Sequence, residues 1–91
     1  MNFEWDPKKA AKDLKKHKVS FKEAATVFGN PLSITYPDPD HSINEDRFIT
    51  IGESKQGRLL MISHTERGDY LRIISARETT RQERQFYEEE S

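Results

Sequence analysis

Residues 70–87 read YLRIISARETTRQERQFY and place a strand, a turn and the start of a helix in one stretch. The run 70–76 is rich in apolar and β-branched side chains, which suit a pleated, half-buried surface. Thr80 followed three residues later by Glu83 is a capping box, in which each side chain satisfies an orphan amide of the helix start. The strand therefore passes to a helix within about four residues. Arg77 and Arg81 fall at that junction, beside backbone N–H groups that already favour an anion. A phosphate-contacting site is the functional expectation. The competing role for such arginines is an ordinary surface ion pair.

Working outward, residues 47–53, 58–66 and 70–77 predict a three-stranded antiparallel meander with turns at Ser54-Lys55-Gln56-Gly57 and Gly68-Asp69. The second turn is a two-residue hairpin loop of the glycine-first type. If tight, it pairs Arg67 with Tyr70, Thr65 with Arg72 and His64 with Ile73. An uninterrupted ladder then sets Arg67, Tyr70, Thr65 and Arg72 on one face, with His64, Ser75 and Arg77 on the other. Arg67 and Arg77 meet only if the strands twist or bulge. Another short strand is expected over 32–36, halted by Pro37-Asp38-Pro39-Asp40.

The N-terminal third reads as helical after a short alternating segment, Phe3-Glu4-Trp5. Asp6-Pro7 supplies the cap and first-turn proline of a helix over 7–17, with Ala10, Ala11 and Leu14 on its buried side and Lys8, Lys9, Lys12, Lys15 and Lys16 mostly outside. Ser20 and Glu23 repeat the capping-box signal for a second helix over 21–28, stopped by a left-handed Gly29. A last helix from Arg81 to about residue 90 is anchored by Phe86 and Tyr87, and its acidic end invites fraying. The expected fold is α+β: a small antiparallel sheet with two N-terminal helices and one C-terminal helix.

At 91 residues the chain is expected to form a single domain, 1–91. It carries 33% hydrophobic and 34% charged residues, so the core is small and the surface heavily ionised. The formal net charge of −1 argues against generic nucleic-acid adhesion. Its distribution is uneven: residues 1–30 carry +3, residues 31–57 carry −3, and six of the seven arginines follow Gly57. A folded surface can therefore still present a basic cleft. Cysteine is absent, which excludes disulfides and thiolate metal sites. Without an apolar run of membrane-spanning length or a hydrophobic leader, the expected location is cytoplasmic and no membrane partner is expected.

Glycine-rich phosphate loops and nucleophile elbows are missing from the sequence. Asp38, Asp40 and His41 match no defined metal spacing, and turn chemistry explains the aspartates, so neither metal nor cofactor is expected. What remains is a set of cations and proton-transfer groups suited to phosphodiesters: His17, Lys16, Arg67, Arg77, Arg81 and Tyr87. Metal-independent RNA cleavage needs a base for the ribose 2′-hydroxyl, cations for the pentacoordinate phosphorane and an acid for the leaving 5′-oxygen. His64 within a strand and Arg72 across a sheet read first as structural residues.

The ordered set FEWDPKKA, KH, VSFKEAATVFGNP, PDPDHS, RFITIG, HTERG and RIISAR, followed by a helix containing ER and Y, resembles the BrnT toxins of type II toxin-antitoxin systems over nearly the whole chain. The resemblance implies a RelE-like fold and a small endoribonuclease that blocks translation by cutting RNA. It also implies a cognate BrnA-type antitoxin with a DNA-binding domain, so that DNA is met only through that partner. Carried over by motif, His17 lies in the lysine-histidine pair, Arg67 in Thr-Glu-Arg-Gly, Arg77 in Ile-Ser-Ala-Arg, and Arg81 with Glu83 at the last helix start. These are the candidate catalytic residues. Two positions depart from the pattern: Asp13 stands where asparagine is frequent, and Lys18 where glycine usually stops the helix. A left-handed Lys18 would cost about 1 kcal/mol. The alternative function is a non-catalytic binding module that acts only through its complex with a DNA-binding partner.

Overall fold

The computed structural model describes residues 1–38 and 46–90. In chain order the elements are β1 (Asn2–Glu4), α1 (Pro7–His17), α2 (Phe21–Val27), β2 (Ile34–Pro37), β3 (Arg47–Glu53), β4 (Leu59–Arg67), β5 (Tyr70–Glu78) and α3 (Arg81–Glu90). All strands join one sheet in the order β1-β5-β4-β3-β2. The α+β class and the placement of the helices follow the sequence reading. The sheet is larger than expected and mixed, because β1 pairs with β5 in parallel, matching Glu4 with Arg72.

The caps show which local signals survive packing. Asp6 accepts from the Lys8 amide at 2.9 Å, with Pro7 opening α1. Lys18 closes that helix at φ 62°, the one left-handed non-glycine residue among those described. Its amide donates to the Leu14 carbonyl at 2.8 Å, and its own carbonyl accepts from Arg58 Nη2 at 3.0 Å. A fixed arginine thus supports a conformation that glycine would adopt without strain.

At α2, Ser20 accepts from the Glu23 amide at 3.0 Å, but Glu23 does not complete the expected box. Its carboxylate meets the Arg58 guanidinium and the Ser54 hydroxyl instead. The Arg58 hydrogen bonds hold that carboxyl below the usual range despite its burial. Gly29 is not left-handed. The amides of Phe28, Gly29 and Asn30 each donate three residues back, tightening the last turn so that no such cap is required. Asn30 then accepts from the Leu32 amide at 2.9 Å, and this turn displaces the start of β2 from residue 32 to Ile34.

The core lies on one sheet face, where Val19, Phe21, Ala24 and Val27 meet Leu60, Ile62, Leu71, Ile73 and Ala76. Trp5 packs edge-on against Phe21 at 6.0 Å, tying the N-terminal segment to α2. Within β3, Gly52 admits close approach: a Cβ there would stand 2.8 Å from Val27 Cγ1.

Helix α1 departs from the expected orientation. Leu14 is 45% exposed, and the inward stripe is Ala10, Asp13 and His17. Asp13 faces inward because it has a donor to satisfy: its Oδ2 accepts from the Ala76 amide at 3.0 Å, on the edge of β5 beyond the reach of β1. Helix α3 lies on the opposite sheet face, where Phe86 meets Tyr36 at 5.7 Å and the Tyr87 hydroxyl donates to the Leu32 carbonyl at 3.1 Å. No residue of α3 is buried. Among the described residues, no helix is long and apolar enough to cross a membrane.

His64 is a core residue at 2% exposure, between the rings of Phe28 at 4.9 Å and Phe48 at 6.0 Å. Its Nε2 is 2.7 Å from the Thr50 hydroxyl, which in turn is 2.6 Å from that of Thr35. Nδ1 is buried without a hydrogen-bond partner among the described residues. Burial lowers the imidazole pKa from 6.5 to about 4, so the ring is neutral in the fold. A depressed folded-state value means that this contribution is complete above pH 6.5 and is lost as pH falls toward 4. The loss reaches at most about 1.4 kcal/mol per pH unit. Urea denaturation across that range should therefore show a flatter stability profile for His64→Phe than for the parent; parallel profiles would contradict the assignment.

Candidate functional site

A single irregularity between β4 and β5 assembles the site. The hairpin register pairs Arg67 with Tyr70, Thr65 with Arg72 and His64 with Ile73, as the loop predicts. The next pair is Ser63 with Ser75, so Ile74 is an extra residue opposite the Ser63–His64 step. That bulge reverses the side-chain alternation of β5 while β4 continues unchanged. Leu71 and Ile73 before it and Ala76 after it all enter the core. On the other face, Arg72 before it and Ser75 and Arg77 after it emerge beside Thr65, Ser63 and Met61. The expected separation of Arg67 from Arg77 onto opposite faces is thereby corrected: both belong to the face that carries α3.

Three cross-strand rows result. The first is Arg47–Thr65–Arg72, the second Ile49–Ser63–Ser75, and the third Ile51–Met61–Arg77. An open cleft of about 400 Å³ lies over them, with Arg47 and Arg77 among its walls and the Ser63–Ser75 pair in its lining. Lys9 reaches it from α1, and among the described residues Asp38 supplies the one carboxylate of the lining. Ile49 and Ile74 give it apolar surface. Two arginines, one lysine and paired hydroxyls suit a phosphodiester backbone, while the apolar residues suit an unstacked base.

The sequence-derived candidates separate here. Arg77 lines the cleft but is also structural: its Nη1 and Nη2 donate to Glu83 Oε1 and Oε2, each at 2.7 Å. Glu83 simultaneously completes the expected capping box, accepting from the Thr80 amide at 2.8 Å while its own amide donates to Thr80 Oγ1 at 3.2 Å. The Arg77 hydrogen bonds hold the Glu83 carboxyl below its usual range. Tyr36 nearby is raised, first by burial and then by the charges of Glu83 and Asp38. Arg67 is exposed on the cleft face at the hairpin end, beyond the lining. Arg81 is exposed at the start of α3, also outside the lining.

His17 occupies the inward stripe of α1, two turns from Lys9, or about 12 Å along the axis, and does not line the cleft. Arg72 pairs with Glu4 at 3.8 Å in the β1–β5 ladder. Sequence reasoning missed Arg47, Lys9, Asp38 and the two serines as a group. The alternation Arg47-Phe48-Ile49 marked a two-faced strand, but only the bulge shows which residues it meets. The proposed ligand loop of Asp40 and His41 lies outside the described residues. Among those described, no three His, Cys, Asp or Glu side chains converge as metal ligands.

Because Arg77 is 35% exposed, its pair with Glu83 is partly screened. Arg77→Ala and Glu83→Ala should each lower unfolding stability by about 1–2 kcal/mol, through loss of a bidentate charge-assisted contact that holds α3. The double variant should lose less than the sum, as read by urea denaturation. Additive losses would show that the pair does not hold the helix.

Comparison with known proteins agrees with this architecture. A family model described as the ribonuclease toxin BrnT of type II toxin-antitoxin systems matches residues 5–83. Among solved structures, the Brucella abortus ribonuclease toxin BrnT superposes with a TM-score of 0.71 at 21% identity, covering 89% of this chain and 99% of that one. At that identity the superposition establishes the shared fold. Direct comparison with curated protein sequences gives no significant match. The extent of the family match is decisive: the chain belongs to the BrnT family of ribonuclease toxins of type II toxin-antitoxin systems.

Proposed function

We propose that this chain is an endoribonuclease toxin that cuts RNA without a metal ion at the open-face cleft, inhibits translation, and is neutralised in the cytoplasm by a BrnA-type antitoxin through which alone it meets DNA. The observation that carries this reading is the convergence of Arg47, Arg77 and Lys9 on one cleft, in a chain of a ribonuclease toxin family. Cleavage through the 2′-hydroxyl places extra negative charge on the phosphorane, and fixed guanidinium groups stabilise it without reorganisation. Arg47 and Arg77 serve that role across the Ser63–Ser75 row.

In this reading Asp38 serves as the base for the 2′-hydroxyl and Lys9 as the acid for the leaving 5′-oxygen, which their shared place in the cleft lining supports. These groups, and not His17, take the proton-transfer role in this reading, because His17 does not line the cleft. Arg67 and Arg81 remain in the proposal as contacts to phosphates on either side of the scissile one. Their exposure on the cleft face and at a helix start supports that role.

Purified protein in chelator-containing buffer should cleave single-stranded RNA. Arg47→Ala should lower kcat/KM by about 100-fold, by removing one donor to the transition state. Asp38→Asn should remove the base for the 2′-hydroxyl, read as loss of kcat at all pH values. Induced expression should arrest growth, and co-expression of the adjacent antitoxin gene should relieve the arrest. RNA left intact by a protein that still binds its antitoxin would favour the binding-module reading. Activity that appears only on adding a divalent cation would refute metal independence.

A further inference from the structure

We propose that Lys9, Lys12 and Lys16 form a track along one flank of α1 that binds the RNA backbone outside the scissile cleft. The inference rests on the ribonuclease reading and extends it from the reacting phosphate to its neighbours.

On α1 the inward residues Ala10, Asp13 and His17 set the helix orientation. With 3.6 residues per turn, Lys9, Lys12 and Lys16 share one flank of that stripe, whereas Lys8 and Lys15 point away from the protein and Leu14 lies on the other flank. The cleft identifies the direction in which the lysine flank faces. Lys9 lines the open-face cleft and also, with Asp6, Lys8 and Lys12, the adjoining groove on α1, so the two surfaces are continuous through one side chain.

Among the described residues, the acids of α1 and its cap are engaged elsewhere. Asp6 caps the helix, and Asp13 is turned inward onto the Ala76 amide. Among the described residues none of the three lysines makes an ion pair, and all three are exposed. From Lys9 to Lys16 the track runs about 10 Å along the helix axis, longer than one nucleotide step of a strand. A flexible polyanion leaving the cleft past Lys9 meets a lysine at each successive turn. The chemistry recognised is a chain of phosphodiesters without base preference, since lysine reads charge alone.

The test uses Lys12→Gln/Lys16→Gln, which spares the cleft and exchanges residues of similar helix propensity. Binding is measured on uncleavable 2′-O-methyl RNA of two lengths: about three nucleotides, enough for the cleft, and about twelve, enough to reach the track. The double variant should bind the long RNA about tenfold more weakly at 0.1 M salt, with the slope of log affinity against log salt reduced by about 1.4. Affinity for the short RNA and the thermal midpoint should stay as in the parent. Lys12→Glu/Lys16→Glu should weaken long-RNA binding further.

Equal long-RNA affinity and salt slope in parent and variants would overturn the track while leaving the ribonuclease reading in place. Loss of antitoxin binding with long-RNA binding unchanged would assign the flank to an acidic protein partner and equally overturn it. If the parent binds neither length, the ribonuclease reading itself fails and the track with it.

Discussion

The extra residue at Ile74 is the constraint on which the site and the core both depend. Without it, alternation along β5 would send Ala76 outward and Arg77 inward, against a face lined by Leu60 and Ile62. An arginine there would be a charge without adequate compensation. With it, one strand contributes Leu71, Ile73 and Ala76 to the core and Arg72, Ser75 and Arg77 to the opposite face. The bulge also frees the Ala76 amide at the strand edge, and Asp13 of α1 supplies its acceptor. Asp13 thus presents an acceptor oxygen where the strand requires one.

The open face is an electrostatic compromise. Arg77 is neutralised in part by Glu83, yet the same contact seats α3 over Tyr36 and keeps the guanidinium at a defined place in the cleft wall. The inner face follows another logic. There the buried Glu23 and the half-buried Arg58 form a pair that links α2, the left-handed Lys18 cap and the β3–β4 turn. One ion pair faces solvent and a cleft; the other staples the helices to the sheet.

Much of the fold was legible because it is written in local chemistry. Asp6-Pro7, Ser20, Gly68-Asp69 and Thr80-Glu83 act through bonds within a few residues, and each marks an element boundary close to the observed one. The errors arise where a distant partner outbids the local one. Glu23 abandons its capping box for Arg58, 35 residues away, and Leu14 cedes the inward face of α1 to Asp13 because of an amide on β5. The site was legible only in part for the same reason. Arg77 is prominent in sequence because of the helix start beside it, whereas Arg47 has meaning only through its register with Thr65 and Arg72. His17 lies in a recognisable motif, but motif position does not carry the direction of a side chain.

The parallel pairing of residues 2–4 with residues 70–72 has a consequence for the order in which the molecule matures. During synthesis, the first strand waits until residues 70–72 have left the ribosome before its partner exists, and closing so long a loop is among the slower steps of folding. The cleft spans the same separation, from Lys9 to Arg77. A nascent chain therefore carries neither a finished sheet nor a finished cleft until residues 70–77 have emerged to meet β1 and Lys9.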